Sequence, residues 1–337
     1  MRRRLAAFVL LFAAGIAASA SHAPACAQDM TLFRIGTGGA GGTYYPIGSL
    51  IAQALSNPPG SRPCDQGGSC GVANLIGVAQ SSNGSVANLE GIAEGLIESG
   101  FAQSDVTYWA YSGTGIFEDK KRIDNLRAIA NLYPESIHLV ARRGSGIRSV
   151  ADLAGKRVSL DEPGSGTLVD ARIILDAYGL SESDIEPQYV KPLLAAERML
   201  SGALDAFFIV AGYPVQSIAQ LVETDGCELV PIAGPQAQAL LRNHRFFSSD
   251  TIPPGTYGSL PAVATLSVNA QWITRAELGE ELVYQITKTL WNETTARLLH
   301  GGHAKGLKIT EENALAGVGV PLHPGAARYY REAGLLR

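Results

Sequence analysis

The chain has 337 residues, with 27 Lys+Arg against 31 Asp+Glu and a formal charge of −4. Its first 27 residues hold three arginines and no acid, so without them the charge is −4 − 3 = −7, which argues against nucleic acid or an anionic membrane surface as the main partner. Charged residues make up 17% and hydrophobic residues 46%, with 38 glycines, a composition that suits a well-buried α/β protein with tight turns and excludes a disordered or fibrous one.

The N-terminus reads as an export signal. Arg2, Arg3 and Arg4 precede an apolar run from Leu5 to Ala20, and Ala-x-Ala patterns follow at Ala23/Ala25 and Ala25/Ala27. The expected cleavage follows Ala27, leaving a mature chain from Gln28 of 337 − 27 = 310 residues, longer than a usual single domain, so two lobes are expected. The apolar run, of about 16 residues, falls short of the roughly 20 needed to span a bilayer. A lipid anchor on Cys26 fits poorly beside Pro24.

Next comes a strand (Leu32 to Ile35), then Gly36-Thr37-Gly38-Gly39-Ala40-Gly41-Gly42-Thr43-Tyr44-Tyr45-Pro46, then an apolar helix (Ile47 to Leu55). Glycines let backbone approach a ligand, and the amides opening a helix favour an anion. Tyr44 and Tyr45 supply an apolar wall with polar tips. A plain flexible turn would leave these aromatics unexplained. Cys64 and Cys70 bracket a five-residue loop, and in an oxidising compartment a disulfide is expected between them. A zinc site lacks two further ligands nearby, and Cys227 reads as a buried inert thiol.

Strands are expected at Leu75 to Val78, Val106 to Ala110, Leu126 to Asn131, His138 to Arg142, Arg157 to Leu160, Pro187 to Val190, Ala206 to Val210 and Glu228 to Ile232, with helices between them. This alternation predicts parallel sheets flanked by helices. The polar turn Gln80 to Ser85 leads into a helix (Val86 to Ile97) carrying Asn88, and Gln103-Ser104-Asp105 precedes the expected strand at Val106. On pattern alone that triplet is an ordinary surface turn. Asp161 to Thr167 forms a second anion-ready turn before a helix (Leu168 to Tyr178) that Gly179 ends. Its Ser165 and Thr167 read either as ligand donors or as simple helix caps. Ser149 with Asp152 starts a short helix ended by Gly155. Thr274 with Glu277 predicts a capping box for a long helix stopped by Gly301-Gly302. Crossings between lobes are expected at Tyr133-Pro134-Glu135-Ser136 and at Ile252 to Gly258. That divides the chain into one lobe of residues 28–135 and 253–337 and an inserted lobe of residues 136–252, with a hinged cleft between.

An enzyme reading fares worse. Gly36-x-Gly38-x-x-Gly41 satisfies the dinucleotide fingerprint literally, but no acidic residue ends a second strand about 20 positions on. Gly-x-Ser-x-Gly is absent, and the six histidines are scattered without ligand or triad spacing. No catalytic residue, metal or cofactor is expected.

Several motifs, taken in order, resemble one family. They are Gly-Thr-Gly-Gly-x-Gly-Gly-Thr-Tyr-Tyr-Pro-Ile-Gly, Cys64-x5-Cys70, Ser82-x2-Ser85-x2-Asn88, Gln103-Ser104-Asp105, Gly164-Ser165-Gly166-Thr167, Asp205-Ala206-Phe207-Phe208, Gly212-x-Pro214 and His323-Pro324-Gly325-Ala326 before Tyr329-Tyr330. The chain resembles the TAXI solute receptors of TRAP transporters over nearly its whole mature length. The resemblance implies a two-lobed type II periplasmic binding protein, each lobe a mostly parallel sheet flanked by helices. It would be a monomer that hands a small organic acid or amino acid, such as glutamate or 2-oxoglutarate, to the permease subunits of a TRAP transporter in the membrane. It places Gly39, Thr43, Tyr44, Tyr45, Gln103, Ser104, Asp105, Ser165, Gly166 and Thr167 in the cleft, and Ser82, Asn88, Gly212 and Tyr257 complete the expected ligand-binding set. Ala40 departs from the family, whose members often carry Thr or another small residue there, so a hydroxyl contact is expected to be missing.

Overall fold

A computed structural model describes residues 30–337; the export signal and Cys26 lie outside the described residues. Twelve strands form one sheet: β1 (Thr31–Gly36), β2 (Ser56–Asn57), β3 (Val72–Ala73), β4 (Leu75–Gln80), β5 (Ser99–Gln103), β6 (Leu126–Arg142), β7 (Arg157–Ser159), β8 (Glu186–Gln188), β9 (Ala206–Ala211), β10 (Cys227–Val230), β11 (Ser248–Ile252) and β12 (Val263–Arg275). The helices are α1 (Tyr44–Leu55), α2 (Ser85–Ala93), α3 (Ser104–Ser112), α4 (Gly166–Ala177), α5 (Pro192–Leu200), α6 (Gln216–Glu223), α7 (Pro235–Asn243), α8 (Glu280–Leu290), α9 (Glu293–Gly302) and α10 (Pro324–Glu332).

The strand order along the main path is β3-β2-β4-β1-β5-β12-β6-β9-β7-β8. Pairing is parallel around β1 and β7, as helix-connected strands require, and antiparallel through the central β5-β12-β6-β9 run. This is a mixed α/β architecture. The two long strands carry the chain from one core to another. Tyr133 of β6 and Ala270 of β12 belong to a core with Phe33, Ile51, Phe101 and Trp272. Ile137 of β6 and Leu266 and Val268 of β12 belong to a second core with Leu160, Ile174 and Phe208. Helix α1 shows why the first core forms: Tyr44, Ile47, Ile51 and Leu55 recur at three- and four-residue spacing and all are buried.

Several local expectations are corrected. The segment from Leu126 to Arg142 is one continuous strand, so Tyr133 to Ser136 lie inside it. Pro134 is accommodated beside a register shift against β12, where ladder pairing is already irregular. Val106 to Ala110 is helical: the strand is the preceding segment, β5, and α3 starts at Ser104 and ends at Gly113 in the left-handed region (φ 71). Thr274 lies in β12 and donates to the Glu98 carbonyl at 2.7 Å, so it caps nothing; α8 starts later, after Gly279. The expected long helix breaks at Trp291-Asn292, where Asn292 caps α9 by accepting from the Thr295 amide at 2.8 Å. The Ser149–Asp152 capping box is present. Ile252, Tyr257 and Leu260 pack with Phe207 and Ile218 in a third core, on the opposite face of β6 and β9 from the second. Among the described residues no helix is long and apolar enough to cross a membrane.

Cys64 and Cys70 are bonded, and Cys227 is buried and unpaired among the described residues, its thiol pushed up to about 12 by desolvation. Closing so short a loop stabilises by about 2 kcal/mol in the chain-entropy model. The Cys64→Ser/Cys70→Ser double variant is therefore expected to lose about that much in denaturant melts, with binding intact; a loss near zero would show that the loop is already ordered without the bond.

Candidate functional site

Three turns converge at the carboxyl ends of parallel strands, where open α/β sheets hold ligands. The turn after β1 leads into α1, the turn after β4 into α2, and the turn after β7 into α4. The cavity they surround is small, about 60 Å³, and is completed by Glu135 of β6, Lys191 beside α5 and the Ile209–Ala211 end of β9.

The helix starts supply its positive pole. Thr43 precedes α1 without capping it, because its hydroxyl donates to the Gly212 carbonyl across the cleft. The Tyr44 and Tyr45 amides therefore have no partner within the described residues. Gly84, at φ 110, opens α2 with no side-chain cap. At α4 the Ser165 hydroxyl accepts from the Leu168 amide at 3.0 Å, leaving the Gly166 and Thr167 amides free. Uncapped amides at helix starts attract anions, a carboxylate included.

Of the expected ligand residues, Gly39, Thr43, Tyr44, Ser82, Gln103, Ser165, Gly166 and Thr167 line this cavity. The others have different places. Tyr45 faces a separate shallow hollow with Pro46, Pro214 and His303. Asn88 is buried and clamps strand ends, donating to the Thr37 carbonyl at 2.7 Å and the Phe101 carbonyl at 2.8 Å. Ser104 accepts from the Asn269 amide at 3.3 Å. Gly212 takes part through its carbonyl alone, as the partner of Thr43. Tyr257 is buried in the third core: its hydroxyl accepts from the Val215 amide at 2.9 Å and lies 3.1 Å from His138 Nε2. His138 Nδ1 sits 2.9 Å from the Ser136 carbonyl and so carries the proton, which makes Nε2 an acceptor for Tyr257.

Asp105 lies behind the cavity and meets Asp170 of α4 carboxyl to carboxyl. Among the described residues both Asp105 oxygens and Asp170 Oδ1 are buried with no donor at hydrogen-bond geometry, while Asp170 Oδ2 accepts from Gln103 Nε2 at 3.2 Å. Desolvation raises both carboxyls, and two touching buried carboxylates cannot both stay ionised, so the pair shares a proton.

Three acids in the site escaped the sequence reading of ligand residues: Glu135, Asp161 and Glu162 all line the cavity, together with Lys191. Glu135 is 1% exposed and accepts from the Tyr44 hydroxyl at 2.7 Å. Burial pushes its carboxyl up to about 8 against the Tyr44 bond, and Asp105 adds to the push while Lys305 opposes it. Asp161 is pushed up to about 7, again mainly by desolvation. The available signal for Glu135 was a lone acid between two apolar strand segments. Among the described residues no arginine lines the cavity: Arg142 and Arg157 instead hold Asp205 at 2.9 and 2.7 Å.

Solved structures share this fold. A protein from Bordetella bronchiseptica RB50 is 14% identical, with 90% of each chain covered and a TM-score of 0.51. A structure described as a periplasmic transporter is 13% identical, with 81% of this chain and 87% of that one covered and a TM-score of 0.51. The alkanesulfonate-binding protein SsuA from Xanthomonas axonopodis pv. citri bound to MOPS is 18% identical, covering 90% of this chain and 85% of that chain at a TM-score of 0.45. At such identities the likeness to the first two concerns the fold alone. The model of the NMT1-like family matches residues 35–334, nearly the whole described chain, and the protein belongs to that family.

Proposed function

We propose that this protein is an extracytoplasmic solute receptor that captures a small organic acid or amino acid and delivers it to a membrane transporter of the TRAP type. The observation that carries the reading is the cavity between the two cores, ringed by three helix starts with unpartnered amides and closed by bonds that cross it. Thr43 reaches the Gly212 carbonyl, Asn83 Nδ2 donates to the Pro163 carbonyl at 3.0 Å, and the Ala87 amide donates to the Gly164 carbonyl at 3.0 Å. Bonds of this kind, between segments joined only through β6 and β12, suit a cleft that opens and shuts about those strands. The TRAP partner and the periplasmic address rest on the leader and on the ordered motifs from the glycine–tyrosine turn to His323-Pro324-Gly325.

A thermal-shift screen of organic and amino acids tests the reading. At a solute concentration of 100 Kd the folded state gains about 2.7 kcal/mol, enough to raise the melting temperature by several degrees. Small-angle scattering of the same samples is expected to show a smaller radius of gyration with solute than without. No stabilisation by any acid or amino acid would defeat the receptor assignment, and stabilisation at constant radius would defeat the closing motion about β6 and β12.

A further inference from the structure

We propose that the cleft selects a solute bearing a protonated amine, an amino-acid zwitterion in preference to a plain organic acid, with Gln103 Oε1 and the Glu135 carboxylate as the acceptors of its ammonium group. The inference rests on the receptor reading above and narrows its solute class.

Three carboxyls, Glu135, Asp161 and Glu162, and a buried amide oxygen stand among the groups that line the cavity. Gln103 is 2% exposed and lines the cavity, yet its Oε1 has no hydrogen-bond partner. Its orientation is set by the other end of the amide, since Nε2 donates to Asp170. A buried orphan acceptor facing a cavity calls for an N–H or O–H from the occupant, because leaving it unpaired costs the full desolvation of the group. Glu135 lines the same space from β6, with one oxygen held by Tyr44. Across from them Asp161 brings a further carboxyl.

Two of the side-chain hydroxyls that line the cavity are already committed. The Tyr44 hydroxyl goes to Glu135 and the Thr43 hydroxyl to the Gly212 carbonyl, while Thr167 Oγ1 accepts from the Val210 amide at 3.1 Å. Lys191 Nζ lies 3.6 Å from Glu162. What remains for an anion is the set of backbone amides at the helix starts, with the Ser85 and Ser165 hydroxyls beside them, which suits one carboxylate. A zwitterion matches both poles. A dicarboxylate without an amine would direct charge at Glu135 and leave Gln103 Oε1 unpaired. The groups facing Glu135 are Tyr44 from α1, Asp105 from α3, Tyr133 from β6 itself, Asp170 from α4 and Lys305 from the segment after α9. Lys305 is the sole cation among them, and its Nζ sits over the Tyr213 ring, 3.6 Å from the centroid.

The test is titration calorimetry on the full exported chain with matched pairs that differ only in amine against oxo group, glutamate with 2-oxoglutarate and alanine with pyruvate. The amino member of a binding pair is expected to bind at least tenfold tighter. Its binding is also expected to release protons near pH 7, seen as different heats in two buffers of different ionisation enthalpy, because an ammonium beside Glu135 favours the ionised carboxylate. Glu135→Gln is expected to weaken the amino acid ten- to hundredfold and leave the oxo acid unchanged or tighter. Gln103→Met, which removes Oε1 at similar volume, shifts the preference in the same direction and serves if the first variant does not fold. Equal or tighter binding of the oxo acids by the wild-type protein overturns this inference and leaves the receptor reading standing. Absence of binding across both pairs and the wider acid and amino-acid screen overturns both.

Discussion

Replacing Gly166 with alanine is expected to abolish solute capture while leaving the folded chain intact. An alanine Cβ at this position would fall inside the van der Waals radii of Gln103 Oε1 and Cδ and lie 2.7 Å from Ser85 Oγ. Real Cβ atoms do not survive such contacts, so either Gln103 moves or α4 withdraws from the turn before α2. Gln103 is not free to move: its amide nitrogen donates to Ser85 Oγ at 3.1 Å and its Nε2 to Asp170. Breaking buried bonds of that kind costs about 1–3 kcal/mol each. Withdrawal of α4 keeps the cleft open. Locally the change is harmless, because Gly166 is the first residue of a helix with ordinary backbone, where alanine is favoured over glycine by up to about 1 kcal/mol. Affinity is therefore expected to fall at least about a hundredfold, which corresponds to about 2.7 kcal/mol. The solute-dependent thermal shift should vanish while the solute-free melting temperature stays put. Gly279→Ala, where a Cβ meets nothing within 4 Å, is the matched control. Near wild-type affinity in Gly166→Ala would mean that the contact between α4 and Gln103 is no part of the binding-competent state.

The same contact shows what was legible in the sequence and what was not. The turns before α1, α2 and α4 could be located because each combines glycines, hydroxyls and the start of an apolar helix within a few residues. All three border the cavity. Residues whose role depends on a partner far along the chain were harder to read. Asp105 follows Gln103 closely in sequence, but β5 ends between them, and the turn into α3 sends Asp105 behind the cavity towards Asp170. Reading Val106 to Ala110 as a strand hid that turn; the buried set Ser104, Asp105, Val106, Thr107 and Ala110 has helical rather than alternating spacing. Tyr257 looked like a cleft aromatic because it sits among prolines and glycines, yet its hydroxyl is used up by Val215 and His138. Glu135 was hidden for the opposite reason. An acid beside a proline reads as a break between strands, and only the register of β6 against β12 shows that the strand runs on and turns this carboxyl towards Tyr44.

The buried carboxyls also dictate how stability should vary with pH. In the folded chain Asp105, Asp170, Glu135 and Asp161 all hold their protons more tightly than free carboxyls do, mainly through desolvation. A raised carboxyl means that the folded state binds more protons than the unfolded one. Its stabilising effect is complete below the ordinary carboxylate range near pH 4 and is lost as pH rises through the raised value. For Glu135 that interval runs from 4.5 to about 8, and the loss across it is at most about 5 kcal/mol. The solute-free protein is thus expected to be more stable at pH 5 than at pH 8 in denaturant melts. Asp170→Asn separates the carboxyl pair from the other two. The asparagine amide can donate to Asp105, taking over the role of the shared proton without any dependence on pH. Around this pair the remaining groups are Gln103 from β5, Glu135 from β6 and His244 after α7. The variant should gain about 1–3 kcal/mol over wild type at pH 8, where the pair is forced to ionise, and little at pH 5. Asp105→Asn should behave alike if one proton is held between the two. A wild-type profile that is flat between pH 5 and 8, or a variant equally destabilised at both, would show that the two aspartates do not meet as a proton-sharing pair.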